Sequence, residues 1–473
     1  MTIANESVSH NLKEKVLQGG LYLFFRQSMG LIISVGGMFL LTRIIGPKNY
    51  GIYSSVIAIL MYGVSIGGLG INVYLVRNEK KLLESDYNQA FTVLFFTNTI
   101  ITILGLLFAN YLGKWLSNPD IIYPFVVLVC TLPLQSFIIP GTAKIERSLN
   151  YKAIAYIELV GQITYYSTAI FLAYMDCGVW APVVGYWIQQ IMISIGTLWA
   201  SRYMPRLTKN LNDLKDMVQY GIGYSSSMWV WQIRSLINPL IVGKFLGAEA
   251  VGIVALAIRV VEALSFVKKI TWRISISALA KVQGDNKKLK DAVDEGMMVQ
   301  VIAVGPFLVG FSLLSPYIIP IVFGQKWMSL SIIFPFIALS YLINSVFNMH
   351  SSVLYVKKEN WSVTLFHMVH VIIFFISSII FVPLLGVAGY GWAEVAAFLG
   401  YIVIHYKLSK HMKASYKKAV PWIIGFIPLL FVNFANNIFV ILLMFLPLLM
   451  VIINKNSRYA VLKYKNYIIR RSV

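Results

Sequence analysis

The sequence predicts an all-α polytopic membrane protein of about 14 transmembrane helices, and three observations carry that expectation. The 473-residue chain is 58% hydrophobic and only 12% charged, too little charge to cover a soluble surface of that size. Apolar runs of about 20 residues, the length that crosses about 30 Å of hydrocarbon as a helix, recur from Leu21 to Ile453. The cations between those runs sort to alternate sides.

The spans follow in order at 20–45, 50–76, 90–116, 120–146, 153–175, 178–203, 217–245, 249–280, 294–318, 328–356, 360–385, 387–410, 419–436 and 437–454. Lys13 and Lys15 precede the first. Arg77, Lys80 and Lys81 follow the second, Lys144, Arg147 and Lys152 the fourth, and Arg202, Arg206, Lys209 and Lys215 the sixth. Lys268, Lys269, Arg273, Lys281, Lys287, Lys288 and Lys290 cluster at and beyond the end of the eighth. Lys357 and Lys358 follow the tenth, Lys407, Lys410, Lys413, Lys417 and Lys418 the twelfth, and six more lie between Lys455 and Arg471. The opposite side holds only Arg43, Lys48, Lys114, Lys244 and Lys326. By the positive-inside rule both termini are expected in the cytoplasm, and the net charge of +21 needs no nucleic-acid partner. Three arginines remain within spans: Arg26, Arg234 and Arg259.

The polar, mixed-charge stretch before the first span has no small-residue cleavage site, so no removable signal peptide is expected. Cys130 and Cys177 fall in a span and a short outer turn, away from metal-type ligands, and no disulfide is expected. No outer loop is long enough for an extramembrane catalytic domain, no nucleotide-binding motif is visible, and no His/Asp/Cys set converges on one side. The chain is therefore expected not to be an enzyme, and to have neither a resident cofactor nor a metal.

The chain repeats itself. Leu41–Ile59, LTRIIGPKNYGIYSSVIAI, and Val242–Val260, VGKFLGAEAVGIVALAIRV, align at an offset of 201, pairing Arg43 with Lys244, Gly46 with Gly247, and Gly51 with Gly252. ERSLNYK from Glu146 matches VKKENWS from Val356, and CGVWA from Cys177 matches LGVAG from Leu385. Spans 1–6 and 7–12 are thus expected to be two copies of one six-helix unit. The expected domains are 1–210, 211–414, and 415–473 with two extra helices and a basic tail.

The outer turn IIGPKNYGIYS with its echo FLGAEAVGIVA resembles the signature of the multidrug/oligosaccharidyl-lipid/polysaccharide exporter superfamily. ERSLNYKAIAYIELVG, GVWAPVVGYW and WQIRSLINPLIVGKFLGAEAVG are similar to its polysaccharide-transporter branch, the Wzx-type flippases. The resemblance runs from about Gly19 to the last span. It implies two six-helix lobes whose helices 1, 2, 7 and 8 line a cavity, with alternating access between the leaflets of the bacterial cytoplasmic (inner) membrane. The implied cargo is an undecaprenyl-diphosphate-linked oligosaccharide destined for a surface polysaccharide. The implied partners are that glycolipid, the phospholipid bilayer, and the polymerase and glycosyltransferases of the same pathway. Whether protons, sodium or the membrane potential drive transport is left open.

A charge at the centre of a bilayer costs about 2.5–3.5 kcal/mol on insertion scales, so buried arginines ask for a partner or a watery cavity. On the eighth helix Arg259, Glu262, Phe266, Lys269 and Arg273 share an arc of about 80°, while Lys268 points away, as a snorkelling residue would. On the seventh, Tyr220, Ser227, Trp231 and Asn238 lie within about 60° of Arg234. Arg26 shares a face with Gly19, Tyr22, Gly30 and Gly37, small residues that leave room beside a cation. Arginine's planar fork suits a diphosphate, and Trp231, Tyr220 and Asn238 suit a sugar. The expected substrate-binding set is therefore Arg26, Arg234, Arg259, Glu262, Lys269, Arg273, Tyr220, Trp231 and Asn238. The alternative for Arg259 and Glu262 is a structural pair between packed helices. Two other functions compete: an antiporter of small organic cations on the same fold, and a membrane-embedded polysaccharide-modifying enzyme.

Glu158 and Glu394 are candidates for proton uptake or for structural hydrogen bonds. His367 and His370 lie one turn apart without an evident third ligand.

Overall fold

The computed structural model describes residues 2–454 apart from 81, 211, 213, 267, 269–278 and 281; the side chains of 2–28 and 224 are also outside the described set. All regular structure among the described residues is helical. The chain divides into two compact units, Met1–Gly252 and Ile253–Val473.

In the first unit, α1 (Thr2–Gly67) carries the first span and most of the second in one run, broken at Gly46. Its φ of 74° and ψ of 173° occupy a region essentially reserved for glycine. After a left-handed turn at Leu69 and Gly70, α2 (Ile71–Arg77) completes the second span. The third is α3 (Glu84–Trp115). The fourth is segmented into α4 (Ile122–Val129), a 3-10 turn at Leu132–Leu134, and α5 (Gln135–Arg147). Pro133 has no N–H to offer the preceding turn, and the Val129 carbonyl takes a hydrogen bond from Thr102 Oγ1 at 3.3 Å instead. The hairpin of α6 (Tyr151–Tyr174) and α7 (Trp180–Ser201) carries the fifth and sixth spans. The seventh begins as α8 (Leu214–Ile237) and widens to a π-turn at Asn238–Val242 around Pro239 before α9 (Gly243–Leu264).

The break in α9 falls at Gly247, with φ 79° and ψ −179°. That conformation reproduces Gly46 at the offset of 201, so the sequence repeat is also a repeat of local backbone geometry. No atom lies within 4 Å of a Cβ built at either position. Gly46→Ala and Gly247→Ala should therefore cost about 1–3 kcal/mol through backbone strain alone. Gly36→Ala, in a helical and equally uncrowded position, should not destabilise. Thermal unfolding in detergent checks all three.

The buried centre of the first unit gathers Ile71, Leu75, Tyr87, Ala90, Leu94 and Met217. Tyr203 closes it, donating from its hydroxyl to Asn88 Oδ1 at 2.9 Å. Because α8 packs on α1 and α2, this unit extends beyond residue 210. The repeat is a relation of sequence and local geometry, the compact unit one of contact.

The second unit continues α9 and adds α10 (Asn286–Val322), α11 (Leu330–Val356), α12 (Asn360–Leu385), α13 (Val387–Ala396), α14 (Tyr401–Ser409), α15 (Val420–Leu430) and α16 (Ile438–Ile453). A 3-10 turn at Ala397–Gly400 joins α13 to α14 within the twelfth span. Asp285 starts α10 by accepting from the Lys287 and Lys288 N–H groups, each at 3.0 Å. That contact, from Lys288 foremost, holds its carboxyl below the usual carboxylate range.

The helix α15 and the turn after it are seated on α10, and α16 packs on α15. Gly305 makes room for the Phe426 ring, which would stand 2.3 Å from a Cβ there. Ser312 donates to the Leu430 carbonyl at 2.5 Å, and Asn433 Nδ2 donates to Ser312 O and Ser315 Oγ, both at 2.8 Å.

Among the described residues, eight helical stretches are long and apolar enough to cross a membrane, two of them, Met29–Gly67 and Ser225–Leu264, carrying two predicted spans each. Val420–Phe434 and Ile438–Ile453 are shorter apolar helices. The α6–α7 hairpin has the length of two spans but more polar side chains, and one of these, Gln162, is turned inward to donate to the Gly30 carbonyl at 2.7 Å.

Candidate functional site

Each unit holds charged side chains within its apolar helices. In the first, the Arg234 guanidinium lies over the Trp231 ring, 5.5 Å from its centroid, a cation–π arrangement one turn apart on α8. Asn238 stands at the head of the π-turn, buried, and its amide donates to the Val251 carbonyl at 3.2 Å. It ties the end of α8 to α9. Tyr220 meets Tyr74 of α2 edge-on at 5.9 Å and is half exposed. It shares the Arg234 face but lies about four turns, roughly 21 Å, along the axis from it. Arg234 and Trp231 are thus brought together, while Tyr220 and Asn238 sit at other levels.

The side chain of Arg26 is outside the described residues. The glycines on its face make room for α6: Gln162 Oε1 would stand 3.0 Å from a Cβ at Gly30, and the Tyr166 ring 2.3 Å from one at Gly37. Those small residues admit a neighbouring helix, where the sequence pointed to space for a cation.

In the second unit Arg259 Nη1 and Glu262 Oε2 are 3.3 Å apart, with 59% and 32% of their side chains exposed. The Tyr341 hydroxyl of α11 donates to the other Glu262 oxygen at 3.3 Å. Lys268 turns toward the same helix, its ammonium 4.9 Å over the Tyr341 ring and hydrogen-bonded to Asn344 Oδ1. Asn344 Nδ2 in turn donates to the Tyr401 hydroxyl at 2.9 Å, and Tyr401 stacks on Phe347. The outward direction expected for Lys268 assumed an unbroken helix. The chain turns at Ser265, so an angle carried forward at 100° per residue no longer holds. Lys269 and Arg273 lie outside the described residues.

Tyr341, Asn344 and Tyr401 were not among the expected site residues. Tyr341 and Asn344 are two of several polar residues in that span, with Ser340, Ser345, Asn348 and His350, so the sequence did not single them out.

Other polar side chains are committed to packing. Ser340 donates to Glu394 at 2.9 Å, both buried. The Tyr416 hydroxyl bridges His350 Nε2 at 2.7 Å and His405 Nδ1 at 2.6 Å. His370 is buried among Phe366 and Tyr401, and no group of three or more metal-type ligands occurs among the described residues. Cys130 and Cys177 are free thiols.

At the end of α5, the Arg147 guanidinium donates to the carbonyls of Leu75 at 2.9 Å, Asn78 at 2.7 Å and Lys80 at 2.8 Å, and more distantly to Val76 at 3.5 Å. It gathers the unpaired C-terminal carbonyls of α2 and the segment after it.

Known proteins give the geometry its family. The chain is similar to the lipopolysaccharide biosynthesis protein WzxC of Escherichia coli K12, 22% identical over 83% of this chain and 79% of that one. It is 21% identical to the succinoglycan biosynthesis transport protein ExoT of Rhizobium meliloti over 61% of this chain and 58% of that one. The teichuronic acid biosynthesis protein TuaB of Bacillus subtilis is 26% identical, with 45% of each chain covered. Among solved structures, the lipid II flippase MurJ in an inward closed conformation shares the fold, with a TM-score of 0.70 at 14% identity over 96% of this chain and 99% of that one. An inward-facing MATE-family multidrug transporter follows, with a TM-score of 0.62 at 15% identity over 81% of this chain and 98% of that one. The family described as polysaccharide biosynthesis protein matches residues 40–332, well over half of the sequence. The chain belongs to that polysaccharide biosynthesis protein family.

Proposed function

We propose that the chain is a flippase that carries an undecaprenyl-diphosphate-linked oligosaccharide from the cytoplasmic to the outer leaflet of the bacterial inner membrane. The observation that carries the reading is Arg259: an arginine within an apolar span, 3.3 Å from Glu262 Oε2, with 59% of its side chain exposed. A guanidinium so placed offers donors in the fork geometry that a diphosphate accepts. Arg234 with Trp231 supplies a second cation beside an aromatic face of the kind sugars stack on. In this reading the protein binds and moves its cargo without making or breaking a bond. Alternating access takes the hydrophilic headgroup across while the lipid tail stays in the bilayer. A proton gradient, a sodium gradient or the membrane potential drives it, and selective ionophores separate the three. The glycosyltransferases that build the repeat unit and the polymerase that consumes it are the proposed partners.

The proposal sets a topology, with both termini and the loop around Lys281–Lys290 in the cytoplasm. In a background lacking Cys130 and Cys177, Lys287→Cys should resist an impermeant thiol reagent on intact cells and react in inside-out vesicles. Labelling from outside would reverse the assignment.

A further inference from the structure

The first unit contains two places where helices cross backbone against backbone, with glycine at each. At the first, a Cβ built on Gly51 would stand 1.7 Å from the Ala248 carbonyl oxygen, and one on Gly252 would stand 2.2 Å from the Pro47 carbonyl oxygen. The offset of 201 turns Pro47 into Ala248 and Gly51 into Gly252, so the crossing is its own mirror under the repeat: each glycine meets the carbonyl that corresponds to its partner's. At the second, Gly70, with φ +67°, would place a Cβ 2.4 Å from the Gly221 carbonyl, and Gly221 would place one 1.9 Å from the Leu69 carbonyl. Tyr74 against Tyr220 and the hydrogen bond from Trp229 Nε1 to the Ser65 carbonyl, at 3.0 Å, flank it.

The crossings sit at the two ends of one lever. Gly51 to Gly67 is about 24 Å of helix, close to the thickness of the hydrocarbon layer, so one crossing lies near each membrane face. Contacts of glycine Cα–H with carbonyl oxygen are individually weak; the atoms nearest Gly51, Gly252 and Gly221 are backbone, and at Gly70 the Ser225 hydroxyl joins them, 2.5 Å from a built Cβ. Parting the outer seam separates backbone from backbone, and parting the cytoplasmic one also releases the Tyr74–Tyr220 contact and the Trp229 hydrogen bond. We infer that the two glycine crossings are the gates of the transport cycle: the Gly51–Gly252 seam closes the outer side, the Gly70–Gly221 seam closes the cytoplasmic side, and the structure holds both shut. The word gate rests on the transport reading above; the closure itself is a property of the backbone and is testable without substrate.

Ser55 is the reporter for the outer seam. It is buried in a small hollow under the crossing, beside Leu116, Gly243 and Ala248. In a background with Cys130 and Cys177 replaced, Ser55→Cys should react slowly with an impermeant maleimide on intact cells. Adding Gly51→Ala or Gly252→Ala should raise the rate at least about tenfold, because an added methyl cannot coexist with the closed seam and shifts the population to the open one. Gly36→Ala and Gly223→Ala, where nothing lies within 4 Å of the added atom, should leave the rate unchanged. Gly221→Ala should instead raise labelling of Ser225→Cys in inside-out vesicles.

A Gly51→Ala protein that accumulates normally yet labels at the parent rate overturns the inference. If the glycine variants do not accumulate, Pro47→Cys with Ala248→Cys keeps both glycines. Bridging that pair with a reductant-cleavable bifunctional thiol reagent should stop glycolipid export and cleavage should restore it, whereas undiminished export by the bridged protein overturns the inference. Normal gating responses in a protein that exports no glycolipid would instead overturn the flippase reading and leave the seams standing.

Discussion

Arg259→Ala should reduce glycolipid export about 10- to 100-fold while the protein still inserts and accumulates. The magnitude is that of losing charge-assisted hydrogen bonds to a phosphate, about 1.5–3 kcal/mol. Arg259→Lys should recover only part of the activity, since an ammonium keeps the charge and loses the paired geometry. A purely structural ion pair makes the opposite forecast. If Arg259 serves only to neutralise Glu262, the single variant leaves an uncompensated acid and lowers abundance, and the double change to Arg259→Leu with Glu262→Leu restores both abundance and export. The geometry weighs against that alternative: 3.3 Å is a long contact, and 59% of the Arg259 side chain is exposed. Exposed pairs of this kind contribute little stability, about 0–1 kcal/mol. Export and membrane abundance for the singles and the double separate the outcomes, and full transport by the apolar pair would end the substrate-binding role.

The second large effect belongs to Arg147. Arg147→Met keeps the length and apolar stem of the side chain but strands carbonyls at the end of α2. Three of its hydrogen bonds are 2.9 Å or shorter, each to a charged donor, so a loss of about 3–5 kcal/mol is expected after the exposed carbonyls recover water. Arg147→Lys should recover a minority of this, since one ammonium cannot serve carbonyls spread from Leu75 to Lys80. Unfolding temperature in detergent and susceptibility of the 77–83 segment to protease provide the readouts. An unchanged unfolding temperature in Arg147→Met would show that the α2 terminus holds without the clamp.

Much of this fold was written in the sequence in terms of length. Apolar runs of about 20 residues leave a helix little choice, and the break between the first two spans is announced by Gly46 followed by Pro47. The repeat at offset 201 anticipated a second break at Gly247, and the backbone there is the same. The direction of individual side chains was less legible. A helical wheel places Lys268 away from Glu262 only if the helix runs on through Ser265, and tertiary packing decided that it does not. The wheel also gives angle without depth, so Tyr220 and Arg234 share a face yet lie four turns apart. Arg147 reads as one of many basic residues at a cytoplasmic boundary. Its docking depends on α2 ending beside α5, a relation of elements distant in sequence. Tyr341 and Asn344 became visible only as the neighbours of a residue on another helix.

The seating of α15 on α10 has a consequence for how the chain is made. Asn433 reaches Ser312 across 121 residues, so the earlier helix leaves the ribosome long before its polar contacts arrive. At about 5–20 residues per second, the delay is about 6–24 s. In that interval Ser312 must turn its hydroxyl onto its own helix, as serines in apolar helices do, while α10 waits with a bare notch at Gly305. The helix α15 and the turn after it therefore complete one inserted far earlier. Biogenesis has a late finishing step, and a ribosome that stops short of Leu430 releases a membrane protein whose tenth helix has never met its partner.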